Sequence, residues 1–141
     1  MNIITAFVIS AVLSAASIWT NDFEQAKQQA KQENKLILLN FSGSDWCGPC
    51  IKLHRDVFEA SVFQDFAKQN LVLINADFPR LKKNQLSKAQ ITQNEALAER
   101  YNPKGIFPLT LLLDADGKVL KTWEGNNGIQ PDSFIEQIKA K

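Results

Sequence analysis

Cys47 and Cys50 are the whole thiol content of this 141-residue chain, three positions apart in Trp46-Cys47-Gly48-Pro49-Cys50. On a helix that spacing puts both sulfurs on one face, within reach of a disulfide. Such a pair can exchange disulfides. A thiolate at Cys47 attacks a substrate S–S bond, Cys50 resolves the mixed disulfide by attacking Cys47, and the reverse sequence oxidises a dithiol. Neither direction calls for a metal or an organic cofactor. Two other readings use the same residues. A structural staple is one, although closing a loop of about four residues gains only roughly 2 kcal/mol by chain entropy. Metal binding is the other: Cys47, Cys50 and the lone His54 make three ligands, one short of a closed structural zinc site, and the same three define a Cu(I)-delivery alternative.

The elements around the pair favour redox chemistry. Leu36-Ile37-Leu38-Leu39-Asn40-Phe41 reads as a buried central strand, and residues from Cys47 to about Phe58 carry a helical pattern. The pair therefore opens a helix directly after a strand. Unpaired N–H groups and the positive end of the helix dipole gather at such a turn and stabilise a thiolate. Helix-start Cys-X-X-Cys thiols fall from about 8.5 to about 7 or lower. A zinc half-site needs no such context.

The remaining elements build one α/β domain, a central mixed sheet flanked by helices. Asn21 with Glu24 opens a helix to about Asn34, with Phe23, Ala26 and Ala30 on its apolar face. Ser61 with Gln64 signals another, ahead of a buried strand at 71–74 that runs parallel to the first. Residues 80–93 read as an exposed insertion or loop and 94–101 as a short helix. A strand at 109–113, the turn Asp114-Ala115-Asp116-Gly117 and a returning strand at 118–123 form a hairpin. Pro131 opens a final helix whose apolar face is Phe134, Ile135 and Ile138.

Composition closes off several function classes. A formal charge of +1 and no basic stripe along any helix argue against nucleic acid and anionic membranes as partners. With 45% hydrophobic residues and only 6 Gly and 5 Pro, the chain is neither disordered nor collagen-like. Residues 1–21 carry no charged side chain, and the apolar stretch 3–13 gives way to Ser14-Ala15-Ala16-Ser17. This reads as a signal peptide at 1–16, leaving 17–141 as a single exported domain, although no Lys or Arg precedes the apolar stretch. The periplasm is the expected destination, with secretion or an uncleaved membrane anchor as alternatives. A buried first strand of a cytoplasmic protein is the rival reading.

The Trp-Cys-Gly-Pro-Cys run resembles the thioredoxin superfamily. The likeness extends from about Asp22 to the C-terminus, through Gly105-Ile106-Phe107-Pro108 and Asp116-Gly117. It implies a thioredoxin fold in which Trp46, Gly48 and Pro49 support the cysteine pair and Pro108 is a cis-proline beside it. The backbone of Phe107 then pairs with an extended substrate by strand addition. It also implies protein thiol and disulfide substrates, a redox partner of unknown identity that recharges the pair, and a monomer. Gly-Pro between the cysteines is similar to the strongly reducing thioredoxins, so reduction is favoured over oxidation or isomerisation. A binding or chaperone module with a redox latch is the non-catalytic alternative.

Three positions depart from the family pattern. Phe107 is bulkier than the usual residue, and Leu109 stands where threonine is common. Asn40 stands where thioredoxins carry a buried aspartate that helps move the resolving thiol's proton, and an amide cannot titrate. Four stretches, Phe41-Ser42-Gly43-Ser44-Asp45-Trp46-Cys47, Val57-Phe58, Val62-Phe63 and Asp77-Phe78-Pro79-Arg80, look more like exported bacterial thioredoxin-like proteins than the cytosolic ones. Elsewhere, Trp19 and Trp123 are packing groups, His54 is a helix histidine, and Lys82 and Lys83 belong to a solvated insertion. Asp45 slightly opposes ionisation of Cys47, and Lys52 and Arg55 favour it.

Overall fold

The computed structural model describes residues 18–141; the expected signal segment lies outside them. Five strands, β1 (Trp19–Thr20), β2 (Leu36–Ser42), β3 (Leu71–Asp77), β4 (Leu109–Leu113) and β5 (Val119–Glu124), form one sheet in the order β1-β3-β2-β4-β5. β1, β3 and β2 run parallel, while β4 is antiparallel to both β2 and β5. Helices α1 (Phe23–Glu33) and α4 (Lys88–Tyr101) cover one face. α2 (Gly48–Leu53), its π-helical continuation (His54–Phe58), α3 (Ser61–Asn70) and α5 (Pro131–Lys139) cover the other. This is the thioredoxin fold that the motif implied. Among the described residues no helix is long and apolar enough to cross a membrane.

Successive strand residues point to opposite faces, so each face can be read separately. Towards α1 and α4 the central strands present Ile37, Leu39, Phe41, Val72, Ile74, Ala76 and Leu111, an unbroken apolar row. Towards α2 and α3 they begin the same way, with Leu38, Leu73 and Leu112 in register. One step on, that face turns polar: Asn40 lies between Asn75 on β3 and Thr110 on β4. The change of character falls at the end of β2 from which the chain leaves for the cysteine pair.

Several element boundaries differ from the sequence expectation. Asp22, not Asn21, caps α1; its carboxylate accepts the Gln25 N–H at 2.9 Å, and the Asn21 carbonyl instead accepts from the side chains of Gln90 and Gln93. The Ser61–Gln64 capping box does not form, because Ala60 holds the cap position and Ser61 has already entered the helix. The loop expected at 80–93 contains a 3-10 turn (Lys82–Asn84) and the first turns of α4, which starts at Lys88 and not at Asn94. Ser87 caps it by accepting the Gln90 N–H, a Ser-x-x-Gln signal inside a stretch too polar to show a clear helical period. The expected helix from Cys47 to Phe58 widens to π pitch at His54, where the Glu59 N–H reaches the His54 carbonyl. β1, which pairs with Leu73 and Ile74, is two residues long and gives no period to read.

Candidate active site

β2 delivers the chain to the cysteine pair through Gly43, Ser44 and Asp45. Gly43 is required there by contact: a Cβ on it would collide with the Trp46 indole at Cε2. The indole lies against this glycine and donates from Nε1 to the Phe78 carbonyl at 2.7 Å. Ser44 donates its N–H and hydroxyl to the Asp77 carboxylate. Asp45 accepts the backbone N–H groups of Arg80 and Leu81 and the Asn84 side chain. The Arg80 N–H, followed by the Asn84 amide, holds its carboxyl below the usual carboxylate range. Asp45 is thus a tether for the 80–84 segment, a role beyond the weak opposition to Cys47 ionisation expected of it. The Arg80 guanidinium closes the unit by stacking 3.7 Å from the Trp46 ring centroid.

Cys47 occupies the N-cap of α2 and Pro49 lies in its first turn. The two sulfurs form a disulfide with a Cα–Cα distance of 5.2 Å. The Cys50 N–H points at Cys47 Sγ, 3.2 Å away. In the reduced protein the same N–H faces a thiolate at Cys47 and favours it. Cys47 and Cys50 are both buried, 5% and 3% exposed, so the expected difference between them is slight. Gly48 and Pro49 are exposed between them. Of the two neighbouring cations, Arg55 is paired with Asp56 at 2.8 Å, which raises the arginine and lowers the carboxyl.

The Phe107–Pro108 bond is cis. Asn102 shapes the approach to it: its amide both donates to the Ile106 carbonyl and accepts the Ile106 N–H. The Phe107 ring packs edge-on against Trp46 and Phe78, with centroids 5.4 and 5.5 Å away. Pro108 and the cysteine helix are also linked through the loop after β5. The Gly125 N–H donates to the Pro108 carbonyl, and Asn126 Nδ2 reaches the Pro49 carbonyl at 3.3 Å. Trp46, Cys47, Cys50, Phe107 and Pro108 therefore belong to one connected set of contacts. Gly43, Asn102 and Asn126 were missed by sequence reasoning. Gly43 entered only as part of the Phe41–Cys47 stretch, and Asn102 and Asn126 lie in connections to which the sequence assigned no role.

Beneath α2, Asn40 is 3% exposed and donates to Thr110 Oγ1 at 3.0 Å. Asn75, next to it in register, has a buried Oδ1 without a hydrogen-bond partner. Between this part of the sheet and the helix lies a cleft of about 230 Å³, lined by Ser42, Cys50, His54, Arg55, Glu59 and Asn75 among others. His54 is half-buried and packs tilted against Trp19 and edge-on against Phe58, with centroids 5.7 and 5.8 Å away. Trp19 and Trp123 both pack, the latter 4.8 Å from Phe134.

Residues 18–115 match the model of a Thioredoxin-like family. The chain belongs to that family. This thioredoxin-like chain is 36% identical to the disulfide bond reductase DsbH of Chlamydia pneumoniae over 131 residues, 91% of its own length and 75% of DsbH. It is 31% identical over 108 residues to the thioredoxin-related protein DsbJ of the same organism, covering 77% of this chain but 30% of DsbJ. Among solved structures, a DsbH oxidoreductase superposes with a TM-score of 0.78 at 31% identity, covering 96% of this chain and 92% of that one. The C-terminal domain of Neisseria meningitidis DsbD shares the fold at 19% identity, with a TM-score of 0.56 and coverages of 82% and 89%.

Proposed function

We propose that this thioredoxin-like chain is a thiol–disulfide oxidoreductase that reduces disulfides in proteins, with Cys47 as nucleophile and Cys50 as resolving thiol. The observation that carries the reading is the Cys47–Cys50 disulfide at the start of α2, with the Cys50 N–H aimed at Cys47 Sγ. Reduction proceeds in two exchanges. The Cys47 thiolate attacks one sulfur of the substrate disulfide, and the other sulfur leaves as a thiolate. Cys50 then gives up its proton and attacks Cys47 Sγ, which releases the second substrate sulfur and leaves the Cys47–Cys50 disulfide. Two electrons pass from the dithiol to the substrate, and a partner dithiol must return them. The similarity to the disulfide bond reductase DsbH favours this direction, as does the Gly-Pro dipeptide.

Trp46, Gly48 and Pro49 hold the pair, and the exposed Gly48–Pro49 edge gives a substrate sulfur its way in. The backbone of Phe107, beside Pro108, receives an extended substrate segment by strand pairing. The domain is 17–141, freed of a signal peptide at 1–16 and exported to the periplasm as a monomer, where its partners are protein thiols and disulfides and a dedicated reductant. Reduction of insulin by dithiothreitol tests the activity. The protein accelerates it, the Cys47→Ser variant does not, and equal rates with and without the protein overturn the reading in favour of a binding module.

A further inference from the structure

The resolving step needs a place for the Cys50 proton, and the sheet beneath α2 supplies no base that is not already held by other donors. Thr110, Asn40, Asn75 and Ser42 on its polar end carry no ionisable group, and the Asp77 carboxylate, in register with Ser42, is taken up by the Ser44 N–H and hydroxyl and by the Phe78 N–H. The cleft at Cys50 offers a different route. Its wall carries Asn75, whose buried Oδ1 accepts no hydrogen bond, an arrangement costly enough to call for a donor. In the reduced protein a thiol or a water is such a donor. The cleft is roomy enough for ordered water and carries the polar groups of Ser42, Ser44, His54 and Asn75 on its wall. His54 stands on the same cleft, four residues after Cys50 and therefore beside it on one helical face, with its backbone N–H bonded to the Cys50 carbonyl.

We propose that the Cys50 proton leaves into this cleft, with Asn75 Oδ1 orienting the donor and His54 accepting the proton through water. This rests on the function proposed above. The electron and atom balance is that of the second exchange: Cys50 S–H loses its proton to the imidazole, the Cys50–Cys47 S–S bond forms, and the bond from Cys47 to the substrate sulfur breaks. The imidazolium later returns the proton to solvent at the open side of the cleft. The ionisable groups around His54 are few. Cys50, Arg55 and Glu59 come from its own helical run. Asp77 reaches the rim only through Ser44. β1 contributes the Trp19 indole, and from α5 it is Phe134 that packs behind Phe58. The side chain of Asp56 is taken up by Arg55.

The two exchanges can be timed separately by mixing the reduced protein with excess symmetric nitrothiobenzoate disulfide in stopped flow. The first chromophore is released by Cys47 at a rate that rises with reagent concentration, and the second by Cys50 at a rate that does not. For the wild type, the second phase accelerates as pH rises, because the accepting group must be in its base form. His54→Gln slows that phase about tenfold and flattens this dependence, while the first phase is unchanged. Free imidazole restores the second phase in His54→Ala, which a purely structural defect would not allow. Asn75→Leu slows the second phase alone, and Glu59→Gln leaves it unaltered. A second phase in His54→Gln that matches the wild type across pH overturns the proposal, as does a slow second phase in Glu59→Gln alone. Loss of the first phase in the wild type would instead overturn the role given to Cys47.

Discussion

Between β2 and Cys47 the chain is fastened from the side: Ser44 to Asp77, Asp45 to Arg80 and Leu81, and Trp46 to Phe78. After Cys50 it is held differently. The helix changes pitch at His54, packs through Val57 and Phe58, and stands off the sheet far enough to leave a cleft of about 230 Å³ under Cys50. The upstream side is fixed by polar tethers and one close glycine contact, the downstream side by aromatic packing. The division suits the two sulfurs. A nucleophile that meets large substrates needs a firm rim, whereas a resolving thiol needs room for its proton.

Breaking the downstream packing is expected to have the largest effect. Phe58 is 1% exposed and touches the rings of Trp19, His54, Phe63 and Phe134. Phe58→Ala lowers unfolding free energy by about 3–5 kcal/mol in denaturant titration, the usual range for a buried phenylalanine. A loss below about 1 kcal/mol would mean that the aromatic cluster does not hold the helix. Gly43→Ala comes next, because the added methyl meets the Trp46 ring. Its expected cost is about 1–3 kcal/mol, the range for overpacking, together with a shifted tryptophan emission. Unchanged emission and stability would show that the indole does not rest on Gly43.

The tether at Asp45 gives the smallest and most local effect. Its carboxyl is held low in the fold, first by the Arg80 N–H, so its contribution is complete above the ordinary aspartate value of about 3.9 and is lost as pH falls through the lowered one. Amide exchange at Arg80 and Leu81, measured against the intrinsic rate, therefore loses protection in acid. Asp45→Asn should show weakened protection already at neutral pH and no acid transition. An acid transition that persists in the variant would assign it to another carboxyl.

The cysteine pair was legible in the sequence because its chemistry is local to a few consecutive residues, and Trp46 and Pro108 were legible through the family resemblance that those residues carry. The central strands were legible because both faces of β2 are apolar over most of its length. The supports were not. Asn126 meets Pro49 across 77 positions of sequence, and Asn102 acts on a loop whose shape exists only after folding. Asn40 was singled out only through the family resemblance, as an amide in place of a buried aspartate, but its partner Thr110 and its neighbour Asn75 come from other strands, and only the sheet register brings them together. The early start of α4 was hidden by its surface: among its residues only Asn94 and Leu97 are buried, so the apolar period is weak.

The central claim is that Cys47 and Cys50 form a reducing dithiol, and their reduction potential tests it most directly. The domain would be equilibrated in glutathione or dithiothreitol buffers and the thiol fraction trapped and counted. A potential at or below about −250 mV, close to thioredoxin, is the predicted result, whereas one at or above about −150 mV would make the pair a disulfide donor and contradict the account.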